Sequence, residues 1–152
     1  MRILVCGGAG FIGSNFIRHI LKKHHNARIL NYDKLTYSGN LDNLRDVERD
    51  KRYTFVKGDI ADRKKLESVF RNFKPDYIIS FAAETHVDRS IHVGAREFID
   101  TNIIGVFNLL ELVKNNPKIK KYVQVSTDET YGNLDLHSKK KFREDTAFAP
   151  KV

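Results

Sequence analysis

Two groups of residues in the 152-residue chain have the types and spacing for chemistry. Thr127-Asp128-Glu129 sets adjacent carboxylates just after an apolar stretch, Tyr122 to Val125. Two carboxylates in one cleft can divide into acid and base, because burial and mutual repulsion keep at least one protonated near neutral pH. Residues i and i+1 leave a strand in opposite directions, so both can address one centre only where the chain turns. Taken alone, T-D-E is more often a turn or a helix N-cap. At the other end of the chain, Gly7-Gly8-Ala9-Gly10-Phe11-Ile12-Gly13 reads G-x-x-G-x-x-G, and Asp33 follows 20 residues after Gly13.

These groups need elements to position them, and the apolar pattern supplies alternating strands and helices. Ile3-Leu4-Val5-Cys6 reads as a buried strand, and Phe11, Ile12, Phe16, Ile17, Ile20 and Leu21 recur at helical spacing after it. Further strands are expected at 28–32, 53–56, 77–81 and 122–125. Asp62 is placed to cap a helix through Leu66, Val69, Phe70 and Phe73. A long helix is marked by Ala95, Phe98, Ile99, Asn102, Ile103, Val106, Leu109, Leu110 and Val113. Residues 33–52 form a long connection with room for a short helix near Leu41 to Leu44, and 132–152 read as an irregular tail. The alternation predicts an α/β, Rossmann-type, doubly wound parallel sheet with helices on both faces, about five strands of it being present.

On that scaffold the glycine segment links a strand to a helix. Its bare backbone can approach a pyrophosphate, and the helix N-terminus offers N–H donors. Asp33, at the end of strand two, can accept both ribose hydroxyls of an adenosine and would repel a 2′-phosphate, which favours NAD over NADP. Asp59-Ile60 follows strand three. Asp59 either accepts from the adenine amine or only forms a turn with Gly58. Phe81-Ala82-Ala83 ends strand four with small residues that leave room for the nicotinamide side. His86 reads as a loop-shaping residue rather than a proton carrier. The six histidines and the single Cys6 give no metal site. Lys and Arg number 27 against 19 acidic residues, a formal charge of +8. The basic runs are short, so they read as solvated faces with a mild attraction for anions, not as a nucleic-acid surface. One cysteine and no bilayer-length apolar run point to a cytoplasmic protein with no membrane partner.

Several segments together carry a resemblance. They are the glycine turn, Asp33-Lys34-Leu35-Thr36-Tyr37-Ser38-Gly39-Asn40, Ala82-Ala83-Glu84-Thr85-His86-Val87-Asp88-Arg89-Ser90-Ile91, Thr101-Asn102-Ile103 and Ser126-Thr127-Asp128-Glu129. From residue 3 to about 132 the chain resembles the N-terminal part of the dTDP-glucose 4,6-dehydratases, in the extended short-chain dehydrogenase/reductase superfamily. The resemblance implies roles. Gly7, Gly10, Phe11, Ile12 and Gly13 line the pyrophosphate turn. Asp33, Lys34, Leu35 and Thr36 hold the ribose, and Asp59 and Ile60 the adenine. Phe81, Ala82, Ala83, Glu84, Thr85 and Thr101 flank the nicotinamide half. Thr85 and Thr127 touch the hexose of a dTDP-glucose substrate, Asp128 protonates the departing C6 hydroxyl, and Glu129 removes the C5 proton. The whole protein is then a homodimeric, NAD-dependent lyase.

The superfamily also uses a Tyr-x-x-x-Lys pair. Only Tyr53 and Lys57 have that spacing, and both lie on the expected third strand, so the match is read as coincidence. The expectation is a fragment, residues 1–152 being the N-terminal portion of an NAD-binding domain without its Tyr-Lys helix or substrate domain. Such a fragment is expected to be inactive, to expose a strand-five edge and a flank of the long helix, and to lack part of the dimer-forming surface. The alternatives are a UDP-glucose 4,6-dehydratase, a UDP-hexose 4-epimerase, or a stand-alone basic module binding NAD or nucleic acid.

Overall fold

The computed structural model describes residues 1–150 apart from 93 and 136. Five strands, β1 (Arg2–Cys6), β2 (Arg28–Asp33), β3 (Tyr53–Lys57), β4 (Tyr77–Ser80) and β5 (Lys121–Gln124), form one sheet in the order β3-β2-β1-β4-β5. All four pairings are parallel. The expected strands thus agree to within a residue or two at their ends, and the parallel α/β sheet is as read from the sequence.

Period-two alternation sorts the strand residues onto two cores. Leu4, Cys6, Leu30, Tyr32 and Ile78 pack with Leu66 and Phe70 of helix α2 (Arg63–Phe73). Ile3, Val5 and Ile29 pack on the other face with Ile17 and Leu21 of helix α1 (Phe11–Lys23) and with Leu44. Helix α1 ends on Lys22 and Lys23, cations at the negative end of its dipole. Asp62 caps α2 as expected, its carboxylate accepting from the Lys65 N–H at 3.1 Å. The long 33–52 connection does contain a short element, a 3-10 turn at Leu41–Leu44.

Two elements differ from the sequence reading. The segment after β4 contains a short helix α3 (Val87–His92) where only a loop was expected. The long helix begins as α4 (Arg96–Phe98), widens into a π-helical segment (Ile99–Gly105) and continues as α5 (Val106–Lys114). The widening shifts which residues face inward. Leu109 is fully buried against the α2-side core, whereas Ile99, Ile103 and Leu110 are exposed together with Phe107.

The chain winds outward from β1 through β2 to β3, then crosses back to place β4 on the other side of β1. The helices that follow β1 and β4, α1 and α5, pack on opposite faces of the sheet and leave a crevice at the carboxyl ends of the strands. Open α/β sheets bind ligands at such a switch point.

Candidate functional site

The first loop out of β1 is bent by Gly7, at φ +74°. A Cβ there would lie 2.6 Å from the Ala82 nitrogen, so only glycine lets the β1 and β4 loops meet so closely. Gly13, inside α1, does the same for the helix. An added methyl would meet the Gly7 carbonyl and lie 2.7 Å from the Gly8 Cα. Helix α1 is thereby drawn down onto the turn with its N-terminus facing the crevice. Gly10 caps it without a side-chain hydrogen bond, and its first turn contains no acidic residue. Such an end, with N–H groups that the helix itself leaves unpaired, favours an anion. Phe11 and Ile12 are 81% and 61% exposed at this end, apolar groups left on the rim rather than in the core.

Asp33, the last residue of β2, is buried and fixes two loops at once. One carboxylate oxygen accepts from the Ala9 N–H at 2.8 Å, and the other from the Leu35 N–H at 2.8 Å. Leu35 takes φ +58°, an uncommon backbone for a branched residue, and this turn aims Lys34 and Thr36 at the crevice. The 33–52 connection braces the glycine turn from behind. Asn40 donates its N–H to the Ala9 carbonyl at 3.1 Å, and Asn43 donates its side-chain amide to the same oxygen at 2.9 Å. Asn40 was quoted in the sequence only as the end of the 33–40 segment, and Asn43, within the Leu41–Leu44 turn, was missed.

Asp59 is both a turn former and a cleft residue. It accepts from the Ala61 N–H at 2.8 Å, and its second oxygen pairs with the Lys34 ammonium at 2.7 Å. That hydrogen bond raises the Lys34 pKa. Tyr32 donates its hydroxyl to the Asp59 carbonyl at 3.0 Å. Burial raises the Tyr32 phenol well above its ordinary value, with nearby Asp62, Cys6 and Asp59 adding to the shift.

The π segment supplies the far wall. Asn102 takes the Glu84 N–H on its oxygen at 2.9 Å and gives its amide to the Glu84 carbonyl at 2.8 Å. Asn108, six residues further along in α5, donates to the carbonyls of Ile60 and Ala61 at 3.0 and 3.1 Å. One helix therefore holds the loops after β3 and β4. Thr101 faces the cleft with a buried hydroxyl oxygen that has no hydrogen-bond partner among the described residues. A buried polar atom left so is a place where a ligand fits. Asn102 was quoted in the sequence only as part of a T-N-I pattern, and Asn108 gave no signal.

The crevice is lined by Gly7, Gly10, Asp33, Lys34, Thr36, Asp59, Ile60, Phe81, Ala82, Ala83, Glu84 and Thr101. Tyr32, Ser38, Gly39 and Gly58 line it as well and were not anticipated. Gly13 and Leu35 shape the walls from behind. Thr85 is exposed beyond the lining, next to His86, whose ring meets Tyr37 edge-on at 6.0 Å. That contact ties the β4 loop to the 33–52 connection and agrees with a loop-shaping histidine.

Thr127, Asp128 and Glu129 sit past β5, which pairs with β4 through Ser80 and Gln124. Val125 extends the pairing by donating to the Ser80 carbonyl at 3.0 Å. Thr127 then caps a 3-10 turn (Asp128–Tyr131), accepting from the Glu129 N–H at 3.3 Å. The turn needed to point two adjacent carboxylates away from a strand is present. The expected burial is not, because Thr127, Asp128 and Glu129 are all exposed. Nothing among the described residues covers this side of β5, and Val123 and Val125 are exposed beside it. Tyr131 stacks on Phe142 and Phe148 at 5.3 and 5.5 Å, so the tail folds back onto this turn.

Tyr53 and Lys57, which have the Tyr-x-x-x-Lys spacing, both belong to β3. They lie at the two ends of β3, about 13 Å apart along an extended strand, and the Tyr53 hydroxyl accepts from Asn31 at 3.0 Å instead. Cys6 is fully buried in β1, and burial, with Asp33 nearby, pushes its thiol up to about 12. No group of three or more His, Cys, Asp or Glu among the described residues could hold a metal ion. No helix of the described chain is long and apolar enough to cross a membrane.

With this geometry in hand, comparison with known proteins is direct. The family model described as GDP-mannose 4,6 dehydratase matches residues 4–152. The chain belongs to this family. Its curated relatives include the dTDP-glucose 4,6-dehydratase of Haemophilus influenzae, 46% identical over 158 residues, an alignment covering 99% of this chain and 46% of that protein. Among solved structures, the dTDP-glucose 4,6-dehydratase from Bacillus anthracis in complex with NAD superposes with a TM-score of 0.87 at 46% identity. That match covers 100% of this chain and 45% of the other. A dTDP-glucose 4,6-dehydratase from Streptomyces venezuelae, with NAD and dTDP bound, also gives 0.87, at 42% identity and covering 99% and 46% of the two chains. The chain therefore spans just under half the length of these relatives. It resembles the N-terminal part of the dTDP-glucose dehydratases within the family, as its motifs implied.

Proposed function

We propose that residues 1–152 form the cofactor-binding portion of an NAD-dependent dTDP-glucose 4,6-dehydratase. The observation that carries this is Asp33, a buried carboxylate at the end of β2 that grips the glycine turn at Ala9 and opens onto the crevice. The surroundings fit the cofactor. The uncapped N-terminus of α1 suits a pyrophosphate, the Gly10 face is open, and the unpartnered Thr101 hydroxyl awaits a polar group. The relatives solved with NAD support the same reading.

When bound, NAD supplies the hydride acceptor for C4 of the glucosyl unit and the hydride donor for C6. The chain's own residues handle orientation and protons. Asp33, Lys34 and Thr36 hold the adenosine end, Asp59 and Ile60 the adenine, and Phe81 to Thr85 the nicotinamide end. Thr85 and Thr127 contact the hexose. Asp128 gives its proton to the departing C6 hydroxyl, Glu129 takes the proton from C5, and water leaves across C5–C6. Both carboxylates must become covered to be tuned as acid and base, which supports a further element packing over β5 in the active protein. No tyrosine and lysine within residues 1–152 can act as the Tyr-x-x-x-Lys pair. We therefore propose that this chain binds NAD without turnover, and that the whole protein is a cytoplasmic homodimer. Exposed Ile99, Ile103, Phe107 and Leu110 on the long helix support dimer formation.

Calorimetric titration with NAD⁺ tests the cofactor step. Binding by the chain, and its loss in Asp33→Ala, are expected. Salt-sensitive binding of duplex DNA without any NAD⁺ binding would overturn the reading in favour of a nucleic-acid module. For a longer product carrying the Tyr-Lys pair, the assay is conversion of dTDP-glucose to the 4-keto-6-deoxy sugar. Turnover of UDP-glucose alone would reassign the substrate.

A further inference from the structure

The residue after a strand-two acid is where a cation can receive the 2′-phosphate of NADP. Lys34 occupies that position and lines the crevice beside Asp33. By position alone it would relax the preference for NAD that Asp33 sets. Its ammonium is engaged elsewhere, 2.7 Å from the Asp59 carboxylate across the mouth of the adenosine end. Glu84 and Glu97 also attract it electrostatically. Asp59 is in turn fixed by the Ala61 N–H and by the Tyr32 hydroxyl on its own carbonyl. The acceptor is therefore anchored to the β3 loop, and the lysine is the mobile partner, its side chain 45% exposed against 25% for Asp59.

We infer that Asp59 is a specificity-determining residue, which keeps the site selective for NAD by holding the Lys34 ammonium away from the ribose 2′ position. The inference rests on the NAD-binding reading above and adds a second determinant to Asp33. Asp33 repels a 2′-phosphate directly. Asp59 withholds the cation that would compensate for that repulsion.

Asp59→Asn separates the two roles of this side chain. Asparagine keeps an oxygen for the Ala61 N–H and for an adenine amine, and it removes the charge that retains Lys34. The measurement is the ratio of Kd for NADP to Kd for NAD, by calorimetry on the chain as it stands. In Asp59→Asn the ratio is expected to fall about tenfold, the scale of one charge-assisted contact regained by the 2′-phosphate. Adding Lys34→Met to Asp59→Asn restores the original ratio. Lys34→Met alone weakens NAD and NADP together and leaves their ratio within about twofold, because the wild-type ammonium is held away from the ribose 2′ position. This last arm stands even if Asp59→Asn folds poorly. An unchanged ratio in Asp59→Asn, the same fall in the double variant, or a large rise in Lys34→Met alone each overturns the inference. Failure of the wild-type chain to bind either nucleotide is a different result, since it removes the NAD reading itself.

Discussion

Replacing Asn102 with alanine tests whether the cleft wall is held by one side chain. The amide makes two hydrogen bonds to the backbone of Glu84, at 2.9 and 2.8 Å, both partly buried. Alanine removes both and leaves an N–H and a carbonyl with poor access to water. A net loss of about 1–1.5 kcal/mol per bond gives about 2–3 kcal/mol. For a domain of this size that is a fall in Tm of roughly 5–10 °C. Helix propensity works the other way by a few tenths of a kcal/mol, since alanine is the better helix former. Urea unfolding monitored by circular dichroism reads the difference. Asn102→Asp is the informative companion, because it keeps the acceptor for the Glu84 N–H and loses the donor to its carbonyl. It is expected to fall between alanine and wild type. An alanine variant within about 0.5 kcal/mol of wild type would show that the β4 loop is held by other contacts.

Four further outcomes follow from the same geometry. Gly13→Ala forces α1 away from the glycine turn and is expected to cost about 1–3 kcal/mol in a urea melt. Gly10→Ala, whose added methyl would first meet an atom at 3.5 Å, leaves that melt nearly unchanged but weakens NAD⁺ in a titration. Cys6, with its thiol pushed up from 9.0 to about 12, should react with a thiol reagent at pH 8 about three orders of magnitude more slowly folded than in urea. Because the folded value is the raised one, its share of stability is whole below pH 9 and is lost as pH rises towards 12. Asp62→Ala removes the cap on the Lys65 N–H and is expected to lower stability by about 1 kcal/mol, read by the same denaturation.

The parts legible in the sequence were those governed by local periodicity and by glycine. Apolar runs located all five strands: β1 and β2 are covered on both faces, and β3 and β5, though half open, still carry short β-prone runs. The G-x-x-G-x-x-G turn and Asp33 were legible because their roles depend on backbone conformation and on a fixed distance along the chain. The asparagines that brace the cleft were not. Asn102 and Asn108 act on loops 18 and about 48 residues away, and no local pattern encodes such reach. The π segment was hidden because its residues satisfy a helical spacing as well as an α-helix would, and only the burial of Thr101, Gly105 and Leu109 shows the shift. The exposure of Asp128 and Glu129 was equally illegible, since it depends on what packs over β5.

The π-helical segment makes the length of the long helix a matter of phase. Each i→i+5 turn uses one residue more than an α-turn, which lets Thr101 face the crevice while Leu109 faces the core. Deleting one residue between 99 and 105 would let the segment tighten to α geometry. The residue lost would be the one that the wider turn adds, so everything after it, from Val106 to Lys114, would keep close to its present face. The amide of Asn108 would stay on the β3 loop and Leu109 in the core. A deletion at Val106 or Phe107 has no such slack, and would rotate the residues after it by roughly 100° about the helix axis. The wide turn is thus the one stretch of this helix that can absorb a change of length, whereas a change in α5 resets the face of all that follows.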